Sequence, residues 1–149
     1  MSDYRKIALL DLEEAIFSYN NKRYRSAAFF FQQFAEKSAK ALLHKKDPEH
    51  RQLKSHAVEK ILEAYDEAHK VSEIGDKARY LTGFNFIVRN PGDDFMEVSK
   101  AQAERAKNFS EDLDLYFKAE LEALTASSND AELELESLPP LNLSKEEGA

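Results

Sequence analysis

Apolar residues recur along this chain at the three-to-four-residue spacing of amphipathic helices, in five segments separated by polar breaks. The first is expected from about Asp3 to Tyr19, with Ser2 as its N-cap. At about 100° per residue, Tyr4, Ala8, Leu12, Ala15, Ile16 and Tyr19 share one face. Ile7, Leu10 and Phe17 form a smaller strip on the other side, readable as scattered surface apolarity or as a partner contact. The second segment, Tyr24 to Lys45, carries the strongest pattern. Ala27, Phe30, Phe31, Phe34, Ala35, Ser38, Ala39, Ala41 and Leu42 occupy half of its circumference, and Gln33, Glu36, Lys37, Lys40 and His44 the opposite half. An apolar arc that wide predicts a central helix with two or three neighbours.

Pro48 lies in a loop, and a third helix, "SHAVEKILEAYDEAH", is expected with Ser55 as its cap and Val58, Ile61, Leu62 and Tyr65 inward. A fourth, Asp76 to Val88, has almost no polar face after Leu81: Phe84, Phe86, Ile87 and Val88 crowd together ahead of Arg89. Asn90-Pro91-Gly92 then ends it. The fifth starts at Ser99, with Gln102 in capping-box position, and runs to Leu124. Its inward stripe is Ala103, Ala106, Phe109, Leu113, Tyr116, Phe117, Leu121 and Leu124. The chain thus divides into a helical domain, 1–124, and an acidic, proline-interrupted tail, 125–149, expected to be flexible or to dock as an extended peptide.

Composition sharpens this picture. Four Gly and four Pro in 149 residues, with abundant Ala, Leu, Glu and Lys, favour an all-α fold. The absence of cysteine excludes disulfides, thiolate metal sites and cysteine nucleophiles. A charged N-terminus and the lack of a ~20-residue apolar run predict a soluble, cytoplasmic protein without a membrane span. The net charge of -7 sits mostly in the tail, whose six acidic residues and one lysine leave 22 acidic against 20 basic groups in the helical domain. That balance gives no general electrostatic case for nucleic acid, only for a local basic patch.

Candidate chemistry is sparse. His44, His50, His56 and His69 form no i, i+4 pair and no carboxylate clusters with them, so neither a metal nor a cofactor is expected. There is no nucleophile elbow and no phosphate loop. Glu36 and Lys40 form an i, i+4 pair, either an ordinary surface pair or part of a groove in which Gln33, Glu36, Lys37 and Lys40 join Arg89. His56, at a helix start, either touches a neighbouring loop or serves as an acid–base group. Arg89, after an apolar turn, must reach water, cap the helix, pair with Asp93 or Asp94, or hold an anion such as a phosphate.

Taken in order, "FFFQQFAEKSAKALL", "SHAVEKIL" and "ARYLTGFNFIVRNPG", followed by a long last helix, resemble the HEPN domain, the nucleotide-binding domain of higher eukaryotes and prokaryotes, over residues 4–120. The resemblance implies an antiparallel up-and-down bundle of four to five helices that pairs as a homodimer. It also implies work beside a small nucleotidyltransferase, often as a toxin–antitoxin pair. Some members are metal-independent ribonucleases that use an arginine, a following polar residue and a histidine four to six positions on. Arg89 and Asn90 match the start of that signature, but no histidine follows His69. Other members read Arg-Tyr-Pro where Arg89-Asn90-Pro91 stands. The expectation is a binding or accessory subunit with no catalytic residue assigned, taking nucleotide or RNA at Arg89, Asn90, Gln33, Glu36, Lys37, Lys40 and His56. A ribonuclease using Arg89 with His56, and a structural dimer without ligand, are the alternatives.

Overall fold

The computed structural model describes residues 2–85 and 97–136, with side chains as far as residue 127. Five α-helices are present among them: α1 (Asp3–Asn20), α2 (Tyr24–Lys46), α3 (Val58–Tyr65), α4 (Glu73–Thr82) and α5 (Lys100–Glu136). Short 3-10 helices at Arg51–Lys54 and Glu67–Val71 flank α3. No described helix is long and apolar enough to cross a membrane.

Local chemistry sets the ends. Ser2 accepts the Arg5 amide at 3.2 Å and opens α1. Lys22, at φ 60°, turns the chain left-handed, so Arg23 N donates to Ser18 O at 2.8 Å and Lys22 N to Tyr19 O at 3.0 Å. This Schellman closure reverses the chain in three residues and lays α2 back along α1. Tyr4 consequently meets His44, and Tyr19 meets Tyr24. At α5 the expected capping box forms: Ser99 N donates to Gln102 Oε1 at 2.9 Å, and Gln102 N to Ser99 Oγ at 3.1 Å.

The bundle closes around α2. Phe31, Phe34, Leu42, Leu43, Ile61, Leu62, Leu81, Leu113 and Phe117 are fully buried. Phe34 of α2 and Phe117 of α5 pack edge to face, 5.9 Å between ring centres. Charged groups bolt the helices as well. Arg5, buried on α1, donates to Ser38 of α2 at 2.8 Å and to Asp114 of α5 at 3.1 Å. α4 packs against α5 in the opposite sense, Lys77 reaching Asp112 and Tyr80 reaching Phe109. α3 instead runs in the same sense as α2: Gln32 bonds the His56 carbonyl near the start of α3, and Lys46 bonds the Tyr65 carbonyl at its end. The connection from Asp47 to Ala57 therefore passes back along α2.

Several boundaries differ from expectation. Ser55 does not cap α3. Its hydroxyl accepts from Ala57 N in the turn after the first 3-10 helix, and α3 begins at Val58. α4 starts at Glu73, capped by the Ser72 hydroxyl, and ends at Thr82, with Phe84 buried in the turn beyond. Its expected continuation through Phe86–Val88 lies outside the described residues. α5 continues to Glu136 rather than stopping at Leu124, so the first part of the acidic segment is helical. Ile16, assigned to the inner face of α1, is 40% exposed, whereas Ile7, Leu10 and Phe17 are exposed as the second strip implied.

Gly75, in the first turn of α4, faces the His69 backbone so closely that a Cβ would overlap the carbonyl. That approach lets His69 bury: Nδ1 meets Ser72 Oγ at 2.8 Å and Nε2 meets Tyr116 OH at 2.6 Å. Burial holds the imidazole below its ordinary 6.5, against the pull of Asp66 and Glu120. The neutral ring belongs to the folded state, so its contribution is full above 6.5 and is lost as the pH falls through the lowered folded value. Melting temperatures measured from pH 7.5 to 5.5 are expected to fall, and this part of the fall should vanish in His69→Asn.

Candidate functional site

At the middle of α2 a carboxylate is buried among donors. Glu36 has 1% of its side chain exposed, because α1 packs on one side of α2 and the returning 47–57 segment on the other. The spacing of Gln32, Glu36 and Lys40 at four residues puts them on one stripe of the helix. Gln32 Nε2 donates to Glu36 Oε1 at 3.0 Å, and Lys40 Nζ to Oε2 at 3.0 Å. Lys37 Nζ also reaches Oε2, at 3.1 Å, and Gln33 Oε1 at 3.2 Å. Gln33 Nε2 donates to Gln32 Oε1 at 2.6 Å and completes the chain of bonds. His56 arrives from the returning segment, Nδ1 lying 3.3 and 3.4 Å from the two Glu36 oxygens.

Burial alone would push the Glu36 carboxyl up. Hydrogen bonds from Gln32 and Lys40 and the charges of Lys37 and Lys40 outweigh it and hold the group at about 2. Glu36 is thus a permanent anion with two ammonium partners. Asp11 of α1 lies close enough to feel both charges. Burial raises its carboxyl above the ordinary value, with Lys37 opposing and Glu36 adding to the shift. Exposure is graded across the cluster. Lys40 is buried beside Glu36, Lys37 is about one-fifth exposed, and His56 is nearly half exposed.

Five of the seven expected site residues therefore come together: Gln33, Glu36, Lys37, Lys40 and His56. Arg89 and Asn90 lie outside the described residues. One expectation is corrected: the polar half of α2 is mostly covered, since Glu36 and Lys40 are buried, Gln33 and Lys37 are half-buried, and only His44 at its end is exposed. The pair is accordingly a buried ion pair and not a surface one. Gln32 was missed, although its four-residue step to Glu36 marks it. A separate surface depression lined by Tyr4, His44, His50, Arg51 and Lys54 includes none of the five. Among the described residues no group of three or more His, Asp or Glu is placed to hold a metal ion.

The buried helix-two network, the returning segment with its histidine and the long last helix all sit within residues 1–118, the span matched by the family model of the HEPN domain. The chain belongs to the HEPN family. No curated protein and no solved structure matches it. The HEPN match covers the bundle up to Lys118 and leaves the rest of α5 outside. Within this HEPN domain the cluster offers two chemical capabilities: ammonium and amide donors that suit a phosphate oxygen, and an imidazole held by a fixed carboxylate.

Proposed function

We propose that this HEPN domain is a cytoplasmic binding or accessory subunit that takes the phosphate of a nucleotide or of RNA at the surface formed by Gln33, Lys37 and His56, with Arg89 and Asn90 contributing. The observation that carries the reading is the state of Glu36. A fully buried, ionised carboxylate fixes Lys37 and His56 at a partly exposed edge, where a ligand can reach them. Lys40 and Gln32 complete the neutralisation from inside and need not touch ligand. Such preorganisation lowers the ordering cost of binding. The reading extends to a homodimer working beside a small nucleotidyltransferase, in the manner of a toxin–antitoxin pair. HEPN membership and the exposed apolar strip of Ile7, Leu10 and Phe17 support the pairing of copies.

Linkage supplies the test. A nucleotide or short single-stranded RNA at a hundred times its Kd should raise stability by about 2.7 kcal/mol, and the melting temperature with it. Lys37→Ala and Arg89→Ala should each reduce that rise. No rise with millimolar nucleotide and with RNA rejects the binding function.

A further inference from the structure

The hollow around His44 differs in chemistry from the Glu36 edge. About 470 Å³ in volume, it is lined by Tyr4, His44, His50, Arg51 and Lys54, with Leu53 as an apolar floor and Glu49 as an opposing charge. Arg51 and Lys54 are exposed, and among the described residues neither meets a carboxylate. Lys77, Lys107 and Lys118, by contrast, each have one. His50 Nδ1 accepts the Gln52 amide at 3.0 Å, so the hydrogen of the neutral ring sits on Nε2 and the ring donates. Two unmatched cations and an imidazole N–H against one carboxylate make the hollow a surface for acceptors of negative charge.

The chain carries the complementary charge to this same end of the bundle. Tyr4, at the start of α1, meets His44 near the end of α2, so the hollow sits where α1 begins and α2 finishes. α5 leaves from that end as well. Its Glu120 accepts the Tyr65 hydroxyl at 2.7 Å, and the Tyr65 carbonyl accepts from Lys46, the last residue of α2. From Glu120 the helix runs on to Glu136, about 24 Å past the last turn of α2. Residues 137–149 follow, with Glu146 and Glu147 side by side. Glu146 lies ten residues past Glu136, a reach of about 33 Å when extended, which exceeds the overhang. All of this segment lies beyond Lys118, where the HEPN match stops.

We propose that the hollow is the docking site of this chain's own acidic end, with Glu146 and Glu147 on Arg51 and Lys54 and Leu143 against Tyr4 and Leu53. The contact is intramolecular, so its affinity need not be high: a tether of this length holds the carboxylates at about millimolar effective concentration. Exposed ion pairs too weak to hold a free peptide are then populated, and they weaken with salt. Once docked, the acidic end covers a second cationic surface and leaves the edge of Gln33, Lys37 and His56 open to a phosphate. The contact does not depend on what binds at that edge.

The chain has no cysteine, so Ser144→Cys gives the full chain a single attachment point for a nitroxide spin label. At low salt the label is expected to broaden the amide signals of His50 to Lys54, to the same extent at every protein concentration. The broadening should fade in about 1 M salt, where the Debye length is about 3 Å. Glu146→Lys with Glu147→Lys should abolish it without touching the bundle. Arg51→Glu with Lys54→Glu should abolish it too, and the four changes together should restore it, which a merely structural loss would not allow. Broadening absent from His50 to Lys54, or unmoved by the charge reversals, overturns the proposal. A mixture of isotope-labelled chain without nitroxide and unlabelled chain with it tests the source. Equal broadening there makes a second copy the occupant and overturns the intramolecular contact.

Discussion

Glu36→Leu is expected to destabilise the domain by about 3–5 kcal/mol, a large part of the stability of a chain this size. The side chain removed is not a surface charge. It is the acceptor for Lys40 Nζ at 3.0 Å, and the Lys40 side chain is only 8% exposed, so deletion strands a buried ammonium with no carboxylate. It also leaves the Gln32 amide without one of its acceptors. The discriminating experiment is a double variant. Glu36→Leu with Lys40→Met removes both charges at similar volume and should recover most of the loss in chemical denaturation. If the single and double variants are equally unstable, the cost lies in packing and not in the stranded charge. Titration gives a second signature. The folded carboxyl is held at about 2, below its ordinary 4.5, so its stabilising contribution is present above 4.5 and lost as the pH falls from there toward 2. The stability gap between the native chain and the Glu36 variant should narrow over that window.

Phe34→Ala is expected to cost a further case of about 3–5 kcal/mol, for a different reason. Phe34 is fully buried at the contact of α2 with α5, its ring edge to face with Phe117 at 5.9 Å. Neighbours on rigid helices cannot collapse into the space, so transfer and cavity costs add. Denaturant midpoints should shift with little change in slope. Leu115→Ala on the outer side of α5, where Leu115 is 69% exposed, should change stability by no more than about 0.5 kcal/mol. A small loss for Phe34→Ala would mean that α5 does not close the core there.

The same two residues show what periodicity can and cannot reveal. Phe34 lies in the middle of the apolar arc of α2, and its burial follows from the wheel alone. Glu36 lies on the opposite half, and nothing in the helical period says that this half is covered. The cover is the 47–57 segment, which reverses along α2 and brings His56 to it. A loop with Pro48 and a short 3-10 turn carries no period from which such a path could be read. Arg5 was illegible for a related reason. It stands one full heptad before Leu12 on α1, at the margin of the apolar face, and its burial depends on Ser38 and Asp114 arriving from two other helices. Ser55 shows the reverse error. A good capping residue was present, but its hydroxyl is engaged by Ala57 N in a turn, so α3 starts later. Ser99 and Gln102, whose pairing is wholly local, were legible in full.

The position of the site is open to one direct measurement: amide spectra of the isotopically labelled full chain during titration with single-stranded RNA. The account predicts that the amides of Gln33 to Lys37 and of Ser55 to Ala57 shift first and saturate together, and that Lys37→Ala weakens the titration. Saturating shifts confined to the depression around His44 and Arg51, or no shifts at all, would contradict it.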